Sequence, residues 1–297
     1  MSTDALCWIN GSIIPAHEAQ ISVFDHGLLY GDGVFEGIRF YNGRSFRLQE
    51  HLVRLEKSAR AIALTLPYSL QEMAAFIEAT VNAATFSDGY LRVVITRGAG
   101  SLGLDPRACP KPTFFIIADR LQMVTPEACQ KGARLITAST RRLPVDGLDP
   151  RVKSLNYLNH ILARIEANQA GMDEAILLNR NGHVAEGTAD NIFVVRDGVL
   201  LTPPVSDGAL EGITRNLIIE LALKNGVPLR EQSLAPYDLH TADEVFLTGT
   251  GAELIPVREI DGRAMTQCPG QRFRQLQELF TAQVAQETDP TYFPPAH

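Results

Sequence analysis

The sequence predicts an α+β (mixed α/β) fold in two domains, and three observations carry that expectation. Hairpin signals recur, with Asn42-Gly43, Asn181-Gly182 and Asp197-Gly198 each set between strand-like runs. Strands and helices are mixed without strict strand–helix–strand alternation, which argues for antiparallel or mixed sheets rather than a doubly wound fold. A chain of 297 residues is also long for one core.

Taken in order, "FYNGRSF" places a tight turn between two strands. A helix follows with Leu48, Leu52, Leu55, Ala59 and Ile62 on one face, and the next opens on Ser69 and Glu72 as a capping box. "YLRVVITRG" and "PTFFIIADR" read as strands. The first domain is therefore expected over residues 1–118, a linker over 119–130 around "RLQMVTPEACQKG", and a larger domain over 131–297. In that second part "ARLITAST" reads as a strand. Leu155, Leu158, Ile161, Leu162 and Ile165 repeat at helical spacing as far as Gly171, which makes Ser154 the expected N-cap. "EAILLNRNGHVAEG" and "NIFVVRDGVLLTPP" read as hairpins, and helices are expected at 213–225 and 270–287.

Composition narrows the function. Hydrophobic residues at 45% and charged residues at 21% suit a globular protein, and a net charge of -7 leaves no basic footprint for nucleic acid or an anionic membrane. Small molecules remain as partners. "MSTDALCWING" has neither a cationic start nor an apolar core of a signal, and no apolar run reaches membrane-spanning length, so the expected location is the cytoplasm. Cys7, Cys109, Cys129 and Cys268 are scattered without metal-ligand or disulfide spacing, and no metal is expected; His26 and His160 are read as structural. "GAGSLG" at 98–103 matches a dinucleotide pattern, but the following "LDPRACPKP" cannot supply the helix that such a site needs.

Four weaker signals belong together. With Ser154 as a cap, Lys153 would stand at the positive end of a helix dipole, which favours its neutral amine. "LEGITRN" puts Gly212, Ile213 and Thr214 at a helix start, and "FLTGTGAELIP" runs a strand into Gly249, Thr250 and Gly251; both can receive an anion on backbone N–H groups. Arg54, three residues after His51 and off the apolar stripe, can grip phosphate with two parallel N–H bonds. Glu186 follows a hairpin strand and precedes a glycine. A lysine, phosphate turns, an arginine and a lone carboxylate are the groups that pyridoxal phosphate requires.

The chain resembles the fold-type IV pyridoxal-phosphate enzymes, and among them the branched-chain amino acid aminotransferases. The resemblance is carried by "DHGLLYGDGVFEGIRFYNG", "HLVRLEKSA", "KSLNYLN", "EGTADNIF", "LEGITRN" and "DEVFLTGTGAELIPV", in family order from residue 21 to residue 262. It implies two domains with pyridoxal 5′-phosphate between them, and a homodimer or larger assembly in which a loop containing Leu104 reaches the neighbouring site. It further implies that Lys153 carries the Schiff base and shuttles the proton, Glu186 pairs with the ring nitrogen and Tyr157 bonds the phenolic oxygen. Arg54, Ile213, Thr214 and Thr250 would bind phosphate, and Leu210 would pack on the ring.

The resemblance also bears on substrate. D-amino acid enzymes of this fold set an arginine and a histidine where this chain has Leu102 and Leu104, and leucine cannot anchor a carboxylate. A chorismate-type lyase would likewise have a basic residue near Leu102. Tyr90 and Arg92 match the Y-x-R arrangement of the branched-chain enzymes, and Tyr30, Phe35, Gly37 and Arg39 match their early motif. The implied pocket is Phe35 with Leu104, Arg92 with Tyr30 would receive the side-chain carboxylate of glutamate, and backbone at Thr250 and Gly251 would meet the α-carboxylate. The expected reaction exchanges amino groups between L-leucine, L-isoleucine or L-valine and 2-oxoglutarate, in two half-reactions. Because relatives of mixed specificity share Thr96-Arg97, a D-amino acid or (R)-primary amine transaminase is the alternative.

Overall fold

A computed structural model describes residues 3–120, 130–289 and 291. By internal contacts they group into two units, one drawn from Met1–Leu121, Val152–Asn156 and Val284–His297, the other from Gln122–Arg151 and Tyr157–Gln283. The expected linker falls mainly on residues 121–129, outside the described residues.

In the first unit the regular elements are β1 (Leu6–Ile9), β2 (Ser12–Pro15), α1 (His26–Tyr30), β3 (Gly33–Tyr41) and β4 (Arg44–Ser45), then α2 (Leu48–Ala61), α3 (Leu70–Ala83), β5 (Gly89–Thr96) and β6 (Thr113–Asp119). The strands form one antiparallel sheet in the order β2-β1-β6-β5-β3-β4. Asn42 and Gly43 both take positive φ, 51° and 70°, the backbone that a two-residue hairpin turn between twisted strands requires. Ser69 and Glu72 close the expected capping box on α3.

Side-chain alternation gives β3 two different faces. Val34, Ile38 and Phe40 point into an apolar core with Leu52, Leu55 and Ala59 of α2 and Met73, Ile77 and Val81 of α3. Phe35, Gly37 and Arg39 alternate with them and stand opposite Val94, Arg92 and Tyr90 of β5. Glu36 has the core parity, a carboxylate in an apolar row.

Lys153 corrects the sequence reading. It is not at a helix start: Ser154 bridges to Val34, Phe35 N–H donates to Lys153 O at 3.0 Å, and Leu155 N–H donates to Gly33 O at 2.9 Å. These backbone groups pair with β3 and so cannot open a helix. The segment Val152–Asn156, expected with the second domain, consequently groups with the first unit.

The second unit contains β7 (Ala133–Arg141), α4 (Leu158–Gln169), β8 (Glu174–Leu178), β9 (Val184–Gly187), β10 (Asn191–Arg196) and β11 (Val199–Thr202). It continues with α5 (Ile213–Lys224), β12 (Leu229–Glu231), α6 (Pro236–His240), β13 (Glu244–Gly249), β14 (Glu253–Ile260), β15 (Arg263–Ala264) and α7 (Gln271–Thr288), the last residues of α7 grouping with the first unit. Eight strands run in the order β12-β11-β10-β13-β14-β7-β8-β9, with β15 on β14. The sheet is mixed, with parallel pairs β11/β12, β14/β7 and β7/β8.

Helix α4 begins at Leu158, after Tyr157, and inverts the expected amphipathicity. Ala163 and Ala167 pack on Ala138, Ala175 and Leu177, because small side chains let the helix lie close to β7 and β8. Leu158, Ile161, Leu162 and Ile165 remain 43–67% exposed. Among the described residues no helix is long and apolar enough to cross a membrane, and no group of acidic, His or Cys side chains could hold a metal ion.

Candidate active site

In the first unit Phe35, Gly37, Tyr90 and Arg92, four of the residues singled out from the sequence, lie on the second face of β3 and β5. The Arg92 guanidinium stands 4.4 Å from the centroid of the Phe35 ring and 5.6 Å from that of Tyr90. It meets no carboxylate among the described residues. A Cβ at Gly37 would come within 1.9 Å of the Tyr90 hydroxyl, so only glycine there lets the phenol lie beside Arg92. Lys153 Nζ approaches the same Phe35 ring, at 4.7 Å. Its backbone is fixed on both sides, the N–H donating to Ser58 Oγ at 3.2 Å and the carbonyl receiving Phe35 N–H. Asn156 Nδ2 donates to Gly31 O at 2.9 Å and holds the strand end in place. Register with β3, in place of a helix dipole, therefore sets where Lys153 stands.

Arg54 is on α2 and nearly buried, with Nε and Nη2 donating to Glu36 at 2.7 Å each. Tyr30 closes α1, where its hydroxyl accepts the N–H of Gly103 at 3.0 Å. His26 packs edge-on against Tyr30 and contacts Ser101 O at 3.0 Å, so both rings support the loop bearing Leu102 and Leu104. Those leucines are 71% and 81% exposed. Arg97 is fully engaged: it grips Asp32 with two bonds of 2.9 Å and donates to the carbonyls of Ile62 and Ala63. An arginine held in this way has no edge left for a substrate carboxylate.

In the second unit Glu186 on β9 is nearly buried and doubly held. Arg142 Nε donates to one carboxylate oxygen at 2.7 Å and the Leu210 N–H to the other at 2.8 Å. Leu210 O in turn accepts from Asn191 Nδ2 at 2.9 Å. Tyr157 stacks on His160 at 4.4 Å, and His160 Nδ1 must carry its proton because it faces the carbonyl of Thr188 at 2.7 Å. His160 is thus a structural support for Tyr157. Helix α5 begins after Gly212 with no side-chain cap, leaving the first-turn amides of Ile213 and Thr214 for another acceptor. A Cβ at Gly212 would fall 2.0 Å from Asn191 Oδ1, and one at Gly249 would fall 2.2 Å from Asp190 Oδ1. Thr250 and Gly251 lie in the turn between β13 and β14, beside Thr248, whose buried hydroxyl has no hydrogen-bond partner among the described residues. An uncapped helix start, an orphaned hydroxyl and glycine-lined turns fit a phosphate, and a buried carboxylate paired with an arginine fits the N–H of a protonated ring nitrogen.

Sequence reasoning missed Glu36, Ser58, Arg142 and Thr248. Glu36 had a signal, its parity with Val34, Ile38 and Phe40; Arg142, one of two adjacent arginines, had none.

A profile of the amino-transferase class IV family matches residues 33–260. The chain belongs to that family. It is 52% identical over 274 residues to a putative branched-chain-amino-acid aminotransferase of Methanocaldococcus jannaschii, covering 92% of this chain and 94% of that one. The fold superposes on the crystal structure of the Escherichia coli branched-chain amino acid aminotransferase with a TM-score of 0.92 at 34% identity, over 97% of each chain. It also superposes on the T.th. branched-chain amino acid aminotransferase complexed with N-(5'-phosphopyridoxyl)-L-glutamate, at TM-score 0.89 and 37% identity, over 97% of this chain and 96% of that one.

Proposed function

We propose that this aminotransferase exchanges amino groups between L-leucine, L-isoleucine or L-valine and 2-oxoglutarate, giving branched 2-oxo acids and L-glutamate, with pyridoxal 5′-phosphate as cofactor. When bound, the cofactor supplies a carbon that takes the amino group and a ring that accepts the electron pair freed at the substrate Cα. The observation that carries the reading is the buried Arg142–Glu186 pair, with the Leu210 amide on the second carboxylate oxygen. Such a carboxylate is a fixed acceptor for a ring N–H, and it holds the positive charge on which electron withdrawal depends.

The other roles are those that the family resemblance implies, and the local geometry supports several of them. Lys153 Nζ takes the Cα proton and returns it on the far side of the transfer, its position set by the Ser58 and Phe35 backbone bonds. Tyr157, flattened against His160, presents its hydroxyl to the phenolic oxygen. Arg54, the Ile213 and Thr214 amides and Thr250 receive the phosphate, while Leu210 packs on the ring. Phe35 and Leu104 offer apolar surface to a branched side chain, Arg92 with Tyr90 and Tyr30 receives the glutamate carboxylate, and Thr250 and Gly251 meet the α-carboxylate. Leucines at 102 and 104 and the engagement of Arg97 leave that loop without a cationic carboxylate trap, which supports L-amino acids over the D-series.

The exposed apolar row on α4 and the exposed Leu28, Leu102 and Leu104 are typical of surfaces covered in an assembly, and support a homodimer. We place its work in the cytoplasm, where its amino and 2-oxo acid substrates are found. Steady-state rates with L-leucine, D-alanine and (R)-1-phenylethylamine against 2-oxoglutarate and pyruvate test the reaction. L-leucine with 2-oxoglutarate is expected to dominate; dominant turnover of D-alanine would remove the reading.

A further inference from the structure

Glu36 stands on the core face of β3 between Val34 and Ile38, fully buried. A lone carboxylate cannot stay ionised in such a row, so its partners must come from the element packed above it. Helix α2 provides them. His51, Arg54 and Ser58 fall at i, i+3 and i+7, one polar stripe on a helix face that is otherwise apolar, and all three are buried. Arg54 Nε meets Glu36 Oε1 and Nη2 meets Oε2, each at 2.7 Å, in parallel geometry. His51 Nδ1 completes the set at 2.7 Å from Oε2, and because a carboxylate only accepts, that nitrogen carries the proton.

The charge state is consistent with this geometry. Burial alone would raise the pKa of Glu36, but the charge and hydrogen bonds of Arg54, then those of His51, outweigh it and hold the carboxyl well below its usual range. Burial lowers the pKa of His51, and Arg54 and Lys153 add to that effect against the pull of Glu36, so the ring is neutral at pH 7. The cluster is therefore one anion and one cation, locked by a neutral third member.

A guanidinium has two bidentate edges, and a contact on one fixes the direction of the other. We propose that Glu36 is a positioning residue for cofactor binding: it clamps the Nε–Nη2 edge of Arg54, with His51 as brace, and thereby sets the direction in which the guanidinium meets the phosphate. This rests on the assignment of Arg54 to the phosphate above. Without the clamp the arginine loses its bidentate anchor on Glu36, and the cost of ordering it would be taken out of the affinity for the phosphate.

Titration of the full-length apoprotein with pyridoxal 5′-phosphate and with pyridoxal, read by the absorbance of the bound ring, tests the inference. The two ligands share the aldehyde and ring nitrogen, so the preference for the phosphorylated one, the Kd for pyridoxal divided by that for pyridoxal 5′-phosphate, isolates the phosphate. Glu36→Gln is expected to reduce that ratio by about 10-fold or more, as loss of charged hydrogen bonds does. Glu36→Asp keeps the charge, and so the fold, but draws the carboxylate back by one methylene; the ratio should fall there too, and the ³¹P resonance of the bound cofactor should move toward that of free cofactor. A purely structural role would weaken both ligands equally and leave the ratio and the resonance unchanged, which would overturn the proposal. Arg54→Gln separates the two claims. If it leaves the ratio intact, the phosphate assignment fails and the positioning role with it. If it removes the preference while both Glu36 variants keep it, the assignment stands and the positioning role alone is refuted.

Discussion

Replacing Arg142 by Met removes one partner of a buried ion pair while keeping most of the side-chain volume. Its partner Glu186 is only 5% exposed in its side chain and Arg142 is 7% exposed, so water cannot take over the lost contact. Breaking a pair buried to this degree costs about 3–5 kcal/mol, since the carboxylate is left as an uncompensated charge with a single amide donor. For a unit of this size each kcal/mol moves the midpoint by roughly 2–4 °C, which gives a fall of roughly 6–20 °C. Thermal unfolding of the apoprotein followed by far-UV circular dichroism measures it. Adding Glu186→Gln should restore most of the loss, because the double variant buries no charge and the coupling between neighbours is not additive. An Arg142→Met protein within about 1 kcal/mol of wild type, or a double variant no better than the single, would refute the argument that charge burial governs this pair.

Two further perturbations follow from the geometry. Glu166 on α4 accepts the amides of Ser139 and Thr140 at 2.6 and 3.0 Å and the Thr140 hydroxyl at 2.6 Å; burial would raise its pKa, but these bonds lower it from 4.5 to about 2. A depressed carboxyl contributes stability above its unfolded value and loses it as pH falls through the folded one, so Glu166→Gln should flatten the acid loss of stability between pH 4.5 and about 2 in urea titrations. Gly37→Ala would drive a methyl into the Tyr90 hydroxyl, and the displaced ring should cost roughly 1–3 kcal/mol of stability and raise the KM for 2-oxoglutarate more than that for L-leucine. Equal changes in both KM values would separate Tyr90 from Arg92 function.

Much of the fold was legible because local signals and tertiary structure agree. Asn42-Gly43 turns where its dihedrals require, Ser69 and Glu72 cap α3, and the start of α5 at Ile213 follows Gly212 as expected. Helix α4 was misread for a physical reason. Apolar periodicity reports which face avoids water, not which partner covers it, and here the face packed on β7 and β8 is made of alanines. Lys153 was identified by its neighbours in sequence, but its placement depends on backbone bonds to Gly33, Phe35 and Ser58, more than ninety residues away along the chain, which no local window contains. The charged partners show the same division. Glu36 could have been found from strand parity, whereas the pairing of Arg142 with Glu186 depends on the return of β9 beside β8 and is invisible before the sheet is formed.

Everything proposed for the reaction depends on Lys153 being the amine that holds the cofactor and moves the proton. Borohydride reduction of the protein loaded with pyridoxal 5′-phosphate, followed by proteolysis and mass spectrometry, tests this most directly. The phosphopyridoxyl group is expected on the peptide containing Lys153 and should disappear from the Lys153→Ala protein; the label on another lysine, or undiminished labelling of that variant, would contradict the assignment.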